Sequence, residues 1–223
     1  MKKLIRLTGI ITLIMMLALL AACGQADDTS ADTQESDAPQ VEEQTSDESN
    51  AQASPEGIGI HHAEIEVADY GTIKLELDGD TAPVTVQNFM DLANAGFYDG
   101  LTFHRIMDGF MIQGGDPTGT GAGGSDQNIV GEFAVNRYEN NISHVKGVIS
   151  MARRGDDMNS ASSQFFITVA DADFLDGQYA AFGHVTEGQD VADKIASDAK
   201  PLDDNGTIAP EDQPVITTVR IID

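Results

Sequence analysis

The sequence predicts a mainly β domain, a closed antiparallel barrel with two α-helices, and three observations carry that prediction. Short apolar stretches of strand length recur along the C-terminal part of the chain, most of them bounded by Gly or Asp. Helical spacing of apolar residues occurs in two segments. All thirteen aromatic residues, nine Phe and four Tyr, lie between Tyr70 and Phe182, which places the core in residues 58–223. Closure is expected because it removes the exposed edges that many short strands would otherwise leave.

Taken in order, residues 62–67 and 72–77 alternate apolar and polar side chains around Asp69-Tyr70-Gly71, the pattern of a β-hairpin. Thr81-Ala82-Pro83 opens a helix, with proline near the first helical position, where its missing N–H costs nothing. Val86, Phe89, Met90 and Ala93 share a face of that helix, which stops near Gly96. Residues 101–107, 110–113, 148–152, 164–169, 180–185 and 215–222 follow as short apolar stretches. A second helix is expected over residues 189–196, with Val191 and Ile195 four apart.

The N-terminal residues fall outside this domain. Residues 1–22 begin with Lys2, Lys3 and Arg6 and continue as an apolar run of 16 residues from Leu7 to Ala22, shorter than the roughly 20 that span a bilayer. A basic start, an apolar middle and small residues at the end predict a secretory signal peptide. The run closes on Leu20-Ala21-Ala22-Cys23, which resembles the bacterial lipobox. That resemblance implies that Cys23 takes up a diacylglyceryl group and becomes the lipidated first residue of a protein anchored to the extracytoplasmic face of the cell membrane. Two acyl chains anchor stably where one is marginal. Residues 24–57 hold ten acids, no base and no aromatic residue, so 23–57 reads as the lipidated cysteine followed by an acidic disordered tether.

With 12 basic and 37 acidic side chains the chain carries a net charge of −25, and residues 58–223 alone carry 9 − 27 = −18. Such a balance lacks the basic face that nucleic acid requires. One cysteine leaves neither a disulfide framework nor a cysteine zinc cluster. Gly119-Thr120-Gly121-Ala122-Gly123-Gly124 matches a nucleotide-binding glycine pattern, but residues 125–131 show no helical periodicity, so a tight backbone loop is the better reading. Asp203-Asp204-Asn205-Gly206 hints at calcium, yet Pro201 stands where the first ligand belongs, and the segment reads as a turn. His61 and His62 are adjacent and face opposite sides of a strand, so no metal site is expected from them.

The densest segment is residues 103–116. Strict alternation puts Phe103 and Arg105 on one face and, beyond the turn at Asp108-Gly109, sets Met111 and Gln113 with them. A cationic fork then stands beside apolar side chains, although by itself the segment is better read as an ordinary hairpin with a surface arginine. The wider pattern adds to this. Phe103-His104-Arg105-Ile106, Gly109-Phe110-Met111-Ile112-Gln113-Gly114-Gly115-Asp116, Gly121-Ala122-Gly123-Gly124, Gly147-Val148-Ile149-Ser150-Met151-Ala152, Ser163-Gln164-Phe165-Phe166-Ile167, and Phe174-Leu175-Asp176-Gly177 followed by Phe182-Gly183, stand in the order and spacing of the cyclophilins. The resemblance covers residues 64–222.

It implies a closed eight-stranded antiparallel barrel capped by two helices, with peptidyl-prolyl cis-trans isomerase activity on proline-containing polypeptides. Position by position, Arg105 matches the catalytic arginine and Gln113 the glutamine that helps hold it. Phe110, Met111, Phe166 and Leu175 match the proline pocket, Gln164 flanks it, and the backbone of Ala152 and Arg153 matches the strand that pairs with bound peptide. Phe174 stands where many members have tryptophan, and Tyr179 where many have histidine. Two residues are added within 153–159, and Arg153-Arg154 would favour acidic residues before the proline. The expected protein needs no cofactor, is a monomer, and assists the folding of exported proteins. A non-catalytic peptide-binding or chaperone module on the same fold is the alternative.

Overall fold

The computed structural model describes residues 57–223, and there eight strands form one antiparallel sheet accompanied by two α-helices. The signal peptide, Cys23 and all of the expected tether but Gly57 lie outside the described residues. The strands are β1 (Ile60–Val67), β2 (Gly71–Asp78), β3 (Thr102–Met107), β4 (Met111–Asp116), β5 (Val148–Met151), β6 (Phe165–Thr168), β7 (Ala181–Glu187) and β8 (Ile216–Ile221). The helices are α1 (Pro83–Asn94) and α2 (Gln189–Asp198). Each coincides with a stretch expected from the sequence. The 119–124 segment is a loop and 203–206 a turn, also as expected. Among the described residues no helix is long and apolar enough to cross a membrane.

The sheet is not closed. Its order is β3-β4-β6-β5-β7-β2-β1-β8, and the end strands β3 and β8 share no ladder, so the architecture is an open, curled half-barrel. Isolated bridges, Thr102 to Val215 and Arg105 to Thr207, link β3 to the chain before β8. The irregular segment before β8 occupies the outer edge of β3 instead. Ile106 N–H donates to Gly206 O at 2.8 Å, Ile208 N–H to His104 O at 3.0 Å and Phe103 N–H to Pro214 O at 3.0 Å. Pro214 has no N–H to return, which stops a continuous ladder from forming along this seam.

Period-two alternation sends Ile65, Ile73, Leu75 and Leu77 of the first hairpin and Phe165 and Ile167 of β6 into one core. Phe89 of α1 lies in the same core, its ring 5.4 Å from Phe182 and 5.6 Å from Phe165. On β3 the alternation breaks. Phe103 pairs with Gly114 and Arg105 with Gln113, so two residues of β3 advance the partner strand by one and His104 is the extra residue of a β-bulge. Phe103 and Ile106 both enter the core. Arg105 and Met107 face the other way, beside Met111 and Gln113. The expectation that Phe103 shares a face with Arg105 is thereby corrected.

Helix α1 begins at Pro83 without a side-chain cap of its own. Its free N–H groups are taken by Glu132, fully buried and 47 to 48 residues away, which accepts Val84 N–H at 3.0 Å and Thr85 N–H at 2.8 Å.

Candidate functional site

The outer face of β3, β4 and β6 carries a second, smaller apolar cluster of Met111, Phe166, Ala172 and Leu175, with Met107, Phe110, Ala152 and Tyr179 packed against it. Arg105 stands at its edge, and its contacts leave little freedom. Nε–H donates to the Asn205 carbonyl at 2.7 Å and one terminal N–H to Gln113 Oε1 at 3.1 Å. The other terminal nitrogen lies 3.1 Å from Met107 Sδ. Burial pulls the Arg105 guanidinium below its ordinary pKa, which still leaves an arginine fully cationic near neutrality.

The bond to Arg105 fixes which end of the Gln113 amide is oxygen. Its nitrogen therefore faces Gln164 and donates to Oε1 at 2.9 Å, and Gln164 Nε2 in turn donates to Gly123 O at 2.7 Å and Gly121 O at 3.1 Å. That glycine loop is itself wrapped around Asp116. The carboxylate, almost fully buried, accepts the N–H groups of Thr118 at 2.7 Å, Thr120 at 3.1 Å, Gly121 at 2.6 Å and Gly123 at 3.2 Å. Burial alone would raise the Asp116 carboxyl, but the hydrogen bonds from Thr118, Gly123 and Gly121 outweigh it and hold the group below the ordinary carboxylate value.

A cavity of about 290 Å³ opens between Arg105 and this cluster, with Met111, Phe166 and Leu175 forming its floor and Phe110, Phe174 and Tyr179 its walls. Phe174 is the exposed wall, 61% accessible, and packs against Phe110 with ring centroids 5.4 Å apart. Tyr179 meets Phe166 edge-on at 5.9 Å. A larger cavity of about 510 Å³ adjoins it, sharing Gln113, Ala152 and Arg153 and adding the glycine loop and Gln164. Every catalytic or substrate-binding residue expected from the sequence thus borders one of two adjoining cavities.

The two arginines of the pair have different surroundings. Arg153 lies with its guanidinium carbon 4.8 Å from the Tyr179 ring centroid and 5.2 Å from that of Phe133, while Nε–H donates to Gln178 O at 3.1 Å. It braces a cavity wall. Arg154 is exposed and paired with Asp157 at 3.0 Å and Asp156 at 3.5 Å.

Several contributors escape sequence reasoning. Behind Phe166, the His144 ring stacks at 6.1 Å. Its Nδ1 pairs with Asp176 at 2.8 Å and its Nε2 with Ser150 Oγ at 3.0 Å. Burial pulls the His144 imidazole below the ordinary histidine value despite Asp176. Ser150 is fully buried, so this chain of serine, histidine and carboxylate supports the pocket floor and presents no nucleophile. Met107, two residues from Arg105, was within reach of the alternation rule, and Asn205-Gly206 within reach only as a turn. Among the described residues no cluster of His, Cys, Asp or Glu is placed to hold a metal ion.

The family model described as cyclophilin type peptidyl-prolyl cis-trans isomerase matches residues 62–222. Peptidyl-prolyl cis-trans isomerase-like 1 of Rhizopus delemar is 47% identical over 126 residues, 56% of this chain and 74% of that protein. Peptidyl-prolyl cis-trans isomerase A of Dickeya dadantii is 47% identical over 131 residues, 56% of this chain and 66% of that one. Among solved structures, a cyclophilin type peptidyl-prolyl cis-trans isomerase from Cryptosporidium parvum aligns with a TM-score of 0.65 at 31% identity, covering 74% of this chain and 98% of its own. A second crystal structure of that protein, obtained in the presence of the dipeptide Ala-Pro, aligns with a TM-score of 0.64 at 30% identity, covering 73% and 99%.

Proposed function

Since the chain belongs to the cyclophilin-type peptidyl-prolyl cis-trans isomerase family, we propose that it isomerises Xaa-Pro bonds of exported polypeptides with Arg105 as the catalytic residue. Rotation about an amide meets a resonance barrier of about 18–20 kcal/mol. No covalent bond breaks, so neither nucleophile nor cofactor is called for. As the bond twists, the lone pair of the prolyl nitrogen becomes localised and accepts a hydrogen bond that the planar amide does not. The proline ring rests on Met111, Phe166 and Leu175, and an N–H of Arg105 meets that nitrogen. Because this hydrogen bond exists only in the twisted state, it raises the rate and adds little to binding.

The observation that carries this reading is a guanidinium fixed by two oxygens, Asn205 O at 2.7 Å and Gln113 Oε1 at 3.1 Å, at the rim of a cavity floored by Met111, Phe166 and Leu175. NMR exchange spectroscopy on a short Xaa-Pro peptide tests it. Arg105→Ala is expected to lose about 100-fold in kcat/KM, and Arg105→Lys nearly as much, since an ammonium lacks the planar fork. Exchange in the wild type no faster than in Arg105→Ala would overturn the assignment.

The lipoprotein form rests on the sequence of residues 1–23 and on the acidic composition that follows. Cys23 is the lipidated residue, and the isomerase domain works outside the cytoplasm on a tether. Labelling of bacterial cells with a radioactive fatty acid is expected to mark the wild-type chain and place it in the membrane fraction. Cys23→Ser should lose both label and membrane association, and its retention of the label sinks the proposal.

A further inference from the structure

Arg105 is held from two sides, and one holder lies outside both cavities. Residues 203–206 form a turn in which Gly206 N–H donates to Asp203 O at 3.1 Å, with aspartate and glycine at the first and last positions that favour them. The Asp203 carboxylate accepts Asn205 N–H at 3.0 Å, Thr207 N–H at 3.0 Å and the Thr207 hydroxyl at 2.9 Å. Leu202 N–H closes the base of the turn on Thr207 O at 2.7 Å. Gly206 adopts φ +85°, and a Cβ there would stand 2.6 Å from Ile106 O, so glycine is what lets the turn lie against β3. These contacts aim one free carbonyl, that of Asn205, at Arg105 Nε–H.

We propose that Asp203 is a positioning residue for the isomerisation, its carboxylate fixing the Asn205 carbonyl and through it the plane of the Arg105 guanidinium. The inference rests on the catalytic assignment of Arg105 made above. A planar fork held at Nε by Asn205 and at a terminal nitrogen by Gln113 is constrained at two points. Without Asn205 it keeps only Gln113 and a weak thioether contact at Met107, so its plane tilts and the N–H facing the prolyl nitrogen leaves its line. The proline ring is seated by Met111, Phe166 and Leu175, which the turn does not touch. Loss of Asp203 should therefore slow turnover and leave affinity in place.

The test uses the full chain and the same exchange assay, run at several peptide concentrations to separate kcat from KM, together with the ¹H–¹⁵N resonance of the Arg105 Nε–H group. Asp203→Ala is expected to lower kcat about tenfold with KM unchanged, and to hasten solvent exchange of that Nε–H. Asp203→Asn keeps an acceptor oxygen and should restore most of both. Asp204→Ala, at the neighbouring exposed position of the turn, should change neither. Full kcat with an unaltered Nε–H resonance in Asp203→Ala overturns the proposal, as does an equal loss in Asp204→Ala. If Asp203→Ala does not fold, Thr207→Val decides, because it removes one donor to the carboxylate and should shift the Nε–H resonance in the same direction; an unchanged resonance there overturns the proposal. Arg105→Ala separates the two claims. Activity surviving in it removes the catalytic assignment, whereas an inactive Arg105→Ala beside a fully active Asp203→Ala removes the role of Asp203 alone.

Discussion

Arg153, whose backbone is expected to meet substrate, has a second contribution through its side chain. Stacked against Tyr179 and Phe133, the side chain stiffens one wall of the cavity beside Arg105. A cation–π contact of this kind is worth about 1 kcal/mol, so Arg153→Ala is expected to lower kcat/KM by about fivefold, equally for peptides with Glu or Ala before the proline. The two peptides measured side by side check this, and a loss confined to the Glu peptide would return Arg153 to charge recognition. Residue identities at the site were legible because Phe110, Met111, Phe166 and Leu175 fall in motifs whose spacing survives intact. The roles of Asp116 and Asp203 were not, since both act through backbone N–H groups that any sequence supplies.

The elements were legible where periodicity is strong and illegible where it is interrupted. Helix α1 was marked by Pro83 and by Val86, Phe89 and Ala93, yet its N-terminal partner Glu132 sits in a loop that no local rule links to a helix. Buried hydrogen bonds to a charged group contribute about 1.5–3 kcal/mol each. Glu132→Ala is therefore expected to cost about 3 kcal/mol or more, read as a lower urea midpoint at constant slope. A change under about 1 kcal/mol would mean that water replaces the carboxylate at this helix end. The bulge at His104 was hidden for a different reason. Counting by twos assumes an unbroken strand, and one extra residue inverts every assignment on one side of it.

For the whole molecule, buried titrating groups decide the response to acid. Burial holds His104 and His144 below the ordinary histidine value, while hydrogen bonds hold Asp116 below the ordinary carboxylate value against its own burial. In each case the unfolded chain binds protons more readily than the folded one, so the stabilisation is complete at high pH and is lost as pH falls. Urea unfolding is expected to show a first decline below about pH 6.5 from the histidines and a second below about pH 4 from Asp116. Stability that stays flat between pH 7 and 5 would show that these imidazoles charge freely in the folded state. The open sheet was also beyond the sequence, because closure depends on what covers β3, and that is an irregular segment beginning at Ala199, 92 residues after the strand ends at Met107. The same seam carries Pro201, Pro210 and Pro214 and delivers the carbonyl that steadies Arg105. Xaa-Pro bonds in an unfolded chain relax over tens to hundreds of seconds, so any refolding molecule that starts with a non-native isomer at this seam waits on a reaction of the kind the family catalyses before the carbonyl reaches Arg105. The first molecules to finish would then catalyse the slow fraction, and the slow phase of activity recovery is expected to quicken as protein concentration rises.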